Sequence, residues 1–469
     1  MSGADLESVQ PGKTLRLREA VAIIVGIVIG AGIFKSPSLV AQFTGSTEWM
    51  IAAWVAGGVV SLIGALCYAE LAATWPHAGG DYHFLHRAYG RGVSFLFAWA
   101  RFSVITTGSI ALLGFVFGDY MSAVLPLGAH GTAIWAALSI VVLTWINVRG
   151  IHTSAGAQSW LTLAEVMGLV LVIVAGLYLW LGNGHSMPVA EAAAAAAPAA
   201  SGMPSLGLLG LAMVFVLLTY GGWNEAAYLS AELRGSRHSI LYALLISLVF
   251  ITVLYVLVNL AYVYGLGLQG MAKSQAVAAD LLKVAFGRTG ETLIALAVAV
   301  AALTSINATM IVGARTNFAV GRDWPQLHVL GRWHPERGVP TLALLLQSAF
   351  ALALVVLGGA LRSGFEAMVE YTAPVFWTFF LLSTLALIVL RVKEPHTERP
   401  FKVPLYPVLP LLFAAVCAYM LWSSLVYVKT GALVGVGVLL AGGLILAWLE
   451  WTRGRAPAGG ASARPGVSR

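Results

Sequence analysis

The sequence predicts an all-α polytopic membrane protein of about twelve transmembrane helices, built as a 5+5 inverted repeat in which helices one and six are broken. Three observations carry that prediction. The 469 residues are 59% hydrophobic and 10% charged, with a mean hydropathy of +0.85, which leaves too little polar surface for a water-soluble globule. Apolar runs of about twenty residues, the length that crosses a bilayer as a helix, recur twelve times. Two of those runs are interrupted at membrane depth by clustered glycines with helix-breaking or polar neighbours.

The runs fall at 20–43, 49–74, 92–122, 131–148, 157–181, 206–231, 239–266, 290–320, 340–360, 365–390, 404–427 and 431–452. Residues 1–19 are polar and too long for the head of a cleavable signal, so the first helix is expected to stay. Of the 27 lysines and arginines, twenty-one fall on one side of this arrangement and five on the other, with Lys35 inside the first span. That bias places both termini in the cytoplasm of a plasma (inner) membrane protein. Short basic loops explain the net charge of +7, so nucleic acid is not an expected partner. Cys67 and Cys417 lie in apolar runs and offer neither a disulfide framework nor a metal cluster.

In the first span, Gly30-Ala31-Gly32 sits mid-membrane and Pro37 follows. A break there leaves backbone N–H and C=O groups unpaired in hydrocarbon, several kcal/mol each, unless something polar fills the gap. The sixth span repeats the pattern at Tyr220-Gly221-Gly222-Trp223-Asn224-Glu225. Five crossings separate the two, so the helices enter from opposite sides. Matched breaks in oppositely inserted halves are the mark of an inverted-repeat transporter with its substrate between them. The expected domains are a first repeat over 20–181, a second over 206–390, and two added helices over 404–452. The alanine-rich connection from Pro188 to Pro204 and the tail 453–469 are expected to carry no site. Met271 to Arg288 is too polar to span, and reads equally as a lid or as an interfacial helix.

The amides around Gly30, Ala31 and Gly32 open a half-helix, where the positive dipole end suits a carboxylate. The carbonyls around Leu218, Thr219 and Gly221 close a half-helix and suit an ammonium group. Ile27, Leu218, Tyr220, Gly222, Trp223 and Asn224 are then candidates to surround the substrate, with Trp223 either core or gate. The competing reading of the glycines is close helix packing.

Five ordered motifs now resemble one family: GIVIGAGIF from Gly26, PHAGGDY from Pro76, TYGGWNEAAY from Thr219, GARTNFAVGRDW from Gly313 and RPFKVPLYPVLP from Arg399. Together they are similar to the amino acid–polyamine–organocation (APC) superfamily, nearest its L-type amino acid transporter branch and bacterial relatives. The resemblance implies the APC fold and secondary transport of amino acids, with no enzymatic activity and no cofactor. One departure stands out. Many proton-linked or exchanging members carry a lysine in the fifth helix where this chain has Glu165. Glu165 lies roughly 12 Å from the span end by helical rise, too deep to snorkel, which makes it a candidate proton or cation carrier. The alternative is a permanently protonated acid bonded to helix one or to Ser305.

Glu225 and Ser305 join Glu165 as coupling candidates, and Thr304 and Asn307 could also face the helix-one break. Glu70, Glu366 and Glu370 are read as solvated or interfacial, and Lys35 as a residue that steers carboxylates or neutralises a helix end. The resulting expectation is a permease for neutral L-amino acids, moving substrate by alternating access with H+ as coupling ion and Na+ ranked below it. Alternatives are an amino acid exchanger, a cationic amino acid or polyamine carrier, and a nutrient sensor without turnover. The expected partners are substrate and membrane lipid, with no accessory subunit implied. Uniformly apolar spans argue against a channel, and scattered histidines (His130, His152, His185) against an enzyme.

Overall fold

A computed structural model describes residues 16–75, 77, 79–150, 155–182, 204–224, 239–324, 327–334, 339–360, 364–427 and 430–454. Helix α1 (Leu17–Val28) and α2 (Ser36–Thr44) are the two halves of the first span, joined by extended Ile29 and Gly30 and a 3-10 turn over Ala31–Phe34. Pro37 lies in the first turn of α2, where its missing N–H leaves no gap. Then follow α3 (Thr47–Thr74), the short α4 (Asp81–Tyr89), α5 (Arg91–Ala100) and α6 (Thr107–Val124), α7 (Gly131–Val148) and α8 (Ala155–Gly182). The sixth span begins as α9 (Leu206–Thr219), after which come α10 (Ser239–Lys273), α11 (Val277–Asp323), α12 (Thr341–Gly359), α13 (Gly364–Lys393), α14 (Val408–Tyr427) and α15 (Thr430–Gly454). Among the described residues, ten helices are long and apolar enough to cross a membrane, and none of those ten belongs to the first or sixth span.

The chain is therefore an all-α polytopic membrane protein with its two interrupted spans where the glycines lie. The breaks sit at the centre because the surrounding helices close on them. Helix α10 packs along α1, α3 and α8, α11 along α6 and α8, and α9 against α2 and α14. Small residues let the backbones approach. A methyl group at Gly57 would lie 2.3 Å from Val216 Cγ1, and one at Gly58 would lie 2.1 Å from Thr252 Oγ1, so α3 docks directly on α9 and α10.

Between α5 and α6 the chain makes a wide π-helical turn over Arg101–Thr106, a device that re-aims side chains within a continuing helix. Tyr371 on α13 donates to the Ser103 carbonyl at 2.8 Å and holds this turn. Residues 271–288 resolve the open question about that segment. The backbone kinks at Gly267 and Gly287, both with left-handed φ, and the short stretch between Val277 and Phe286 buries Val277, Ala278, Leu281 and Leu282 in the bundle. This is a plug and not an interfacial helix. The segment 188–203 and the tail 455–469 lie outside the described residues.

Glu70 is a correction: it is fully buried rather than solvated. Arg391 grips it through Nε at 2.7 Å and Nη2 at 2.5 Å, and the Val403 N–H donates to the same carboxylate at 2.6 Å. Apolar surroundings alone would expel this acid, and the paired guanidinium is what keeps it.

Candidate functional site

The two breaks meet across one cavity of about 530 Å³. Gly30, Ala31, Gly32 and Ile27 line it from helix one, and Leu218, Thr219, Gly221, Gly222 and Asn224 from helix six. A methyl group at Gly32 would stand 3.5 Å from Thr219 Oγ1, so the interrupted segments touch. On one side, the last carbonyls of α1 and α9 lack partners within their helices; on the other, the amides of Ala31 and Gly32 open the 3-10 turn. Facing donor and acceptor ends of this kind present complementary partial charges to a zwitterion.

Glu165 is buried at 6% exposure on α8 and lines the same cavity. It makes no hydrogen bond or ion pair with any described residue, so the expected bond to Ser305 is not formed. Thr304 and Ser305 do line the cavity from α11, and Ser305 Oγ stands 4.0 Å from where a Gly30 methyl would be. Asn307 turns away and accepts from Asn147 Nδ2 at 2.6 Å. Glu225 lies outside the described residues.

Two of the expected lining residues point elsewhere. Tyr220 is fully buried behind the break, where its hydroxyl donates to the Trp54 carbonyl at 3.0 Å. Trp223 packs among Tyr68, Phe380 and Phe413, with ring centroids at 5.4, 5.6 and 5.8 Å, and is a core residue in this arrangement. The reason is rotational: Gly222 takes φ +102°, and a left-handed residue resets the phase that helical spacing would have given its neighbours.

Sequence reasoning also missed residues. Tyr255 on α10 brings its hydroxyl 3.2 Å from the Val28 carbonyl and 3.3 Å from the Thr219 carbonyl, one from each broken helix. One hydroxyl hydrogen thus serves two orphan acceptors. Its position in a long uniformly apolar run gave no signal. Arg101, Ile105 and Thr106 reach the cavity through the π-helical turn, and α13 adds Phe365, Phe376, Phe379 and Phe380 as an aromatic wall.

Lys35 is a further correction: it is buried at 3% and ion-paired to Asp119 at 2.7 Å, and does not face the cavity.

Comparison with known proteins follows this geometry. A family described as amino acid permease matches residues 15–447. The mouse large neutral amino acids transporter small subunit 2 is 29% identical over 443 residues, covering 92% of this chain and 80% of the relative. The human b(0,+)-type amino acid transporter 1 is 29% identical over 445 residues, covering 93% and 88%. The cystine/glutamate transporter of Pongo abelii is 28% identical over 423 residues, covering 89% and 81%. A relative named as a small subunit overturns the expectation that nothing implies an accessory subunit. With the match spanning nearly the whole chain, this protein belongs to the amino acid permease family and is a membrane transporter of amino acids, not an enzyme.

Proposed function

We propose that this chain carries neutral L-amino acids across the plasma membrane by alternating access, with substrate held between the two broken helices. One observation carries the reading: the amides of helix one and the orphan carbonyls of helices one and six converge on a single cavity of about 530 Å³. Ala31 and Gly32 N–H groups take the carboxylate, and the Val28 and Thr219 carbonyls take the ammonium. The aromatic wall formed by Phe365, Phe376 and Phe379 supports a sizeable apolar side chain, since such a surface gains by burial and offers no counter-charge.

Glu165 is the coupling group in this reading, a buried acid on the cavity wall that takes and releases a proton as the protein alternates. Protons rank above sodium because described oxygen ligands are not gathered around Glu165. The two halves, 20–181 and 206–390, rock against each other around the breaks, with helices 404–452 outside the repeat and both termini in the cytoplasm. By analogy with the relatives named as small subunits, a second, different subunit assembles with this chain.

Uptake of a panel of radiolabelled amino acids into proteoliposomes tests the reading. Saturable accumulation of leucine- or phenylalanine-sized neutral substrates is expected, with lysine and putrescine excluded. Binding without accumulation would mark a sensor, and preference for lysine would move the acidic residues into substrate recognition.

A further inference from the structure

We propose that Lys35, Asp119 and Gln275 form the gate that closes the cavity on the side away from Leu17. Lys35 sits between the 3-10 turn and α2, Asp119 near the end of α6, and Gln275 in the connector between α10 and α11. The Lys35 ammonium donates to Asp119 Oδ2 at 2.7 Å, to the Gln275 carbonyl at 2.8 Å and to Gln275 Oε1 at 2.8 Å. Three N–H groups meet three acceptors, so the buried charge is fully satisfied. Asp119 Oδ1 in turn accepts from Thr132 Oγ1 at 3.1 Å.

The neighbouring residues repeat the link. The Tyr120 hydroxyl donates to the Phe34 carbonyl at 2.6 Å and accepts from the Ala278 N–H at 3.3 Å. Adjacent residues of α6 thus bind adjacent residues of helix one on one hand and the α10–α11 connector and plug on the other. These three elements must separate for the cavity to open on that side. The cavity stops short of the latch: Ser36 lines it and Lys35 does not. Toward the Leu17 side it reaches Asp81 and Arg101, and Ile27 on its wall is 40% exposed.

A buried pair whose every donor is matched is hard to open one bond at a time. Removing either charge strands the other and loosens the seal, which makes Lys35 a positioning residue for the alternation. This inference rests on the transport reading for its purpose, but its test reads accessibility and not flux, so the two can fail separately.

A cysteine placed at Leu113 on the cavity wall reports access when a membrane-impermeant maleimide is applied to the side away from Leu17. The native Cys67 and Cys417 are buried, and the parent protein supplies the background. Labelling of L113C is expected to rise by about fivefold or more when Lys35→Met or Asp119→Asn is added, and to stay slow with Lys35→Arg. Gln275→Ala removes one acceptor, and a rise of about two- to threefold is expected. Unchanged labelling in monodisperse Lys35→Met protein would overturn the gate. If Lys35→Met does not fold, Gln275→Ala decides: a rise supports the latch, and no rise overturns it.

Discussion

Gly222 approaches Ile27 so closely that a methyl group on Gly222 would lie 2.9 Å from the Ile27 carbonyl oxygen. The contact joins the break of helix six to the last turn of α1, and it needs a residue without a side chain at φ +102°. Gly222→Ala is therefore expected to strain the backbone by about 1–3 kcal/mol and to push the two broken helices apart. Thermal stability in detergent should fall and uptake should drop further than stability alone accounts for. A variant that transports normally would show that this close approach is dispensable.

Tyr255 offers the cleanest removal of a single polar group at the site. Tyr255→Phe keeps the ring contacts with Trp54 and Tyr220, at 5.7 and 5.0 Å, and deletes the hydroxyl shared by the Val28 and Thr219 carbonyls. The loss is worth about 1 kcal/mol of positioning, or roughly fivefold. That loss should appear in KM for the amino acid, with little change in melting temperature. An equal fall in both would mean that the hydroxyl only supports the fold.

The Glu70 carboxylate, fully buried, holds Arg391 and the Val403 amide together, with Arg399 Nε 3.6 Å away. Glu70→Ala strands a guanidinium in an apolar setting and should cost about 3–5 kcal/mol, enough to abolish stable expression. Glu70→Gln retains an acceptor and should be milder. The measurement is the fraction of monodisperse protein after extraction, compared between the two variants.

His83, on the short helix α4 outside the spans, stacks on His77 with centroids 4.3 Å apart. Burial, then the neighbouring His77, Arg87 and His86, lowers its pKa from 6.5 to about 4. The unfolded chain binds this proton more readily, so its contribution to stability is complete above pH 6.5 and is lost progressively as pH falls toward 4. His83→Asn should flatten the melting-temperature profile across that window. A profile unchanged by the substitution would assign the slope to other groups.

Both helix breaks were legible because they rest on backbone chemistry: Gly30-Ala31-Gly32 with Pro37, and Gly221-Gly222, announce irregular backbone wherever they occur in an apolar run. Their meeting across one cavity was legible too, through the matched positions of the two spans. Which side chains face that cavity was not. Beyond a left-handed glycine the helical phase is lost, and Tyr220 and Trp223 turned into the core. Long-range pairs were equally hidden: Lys35 finds Asp119 and Gln275, and Glu70 finds Arg391, across hundreds of residues or several helices. Tyr255 was invisible for a third reason, since a tyrosine in a uniformly apolar helix looks like packing until its hydroxyl has neighbours.

The most direct test of the account is uptake of a neutral amino acid into proteoliposomes with and without an imposed inward proton gradient, in the parent and in Glu165→Gln. The account predicts that the gradient drives accumulation in the parent and loses its effect in the variant, while exchange against trapped amino acid survives. Uptake that ignores the gradient and needs internal amino acid in both proteins would contradict it, leaving an exchanger in which Glu165 is a structural acid.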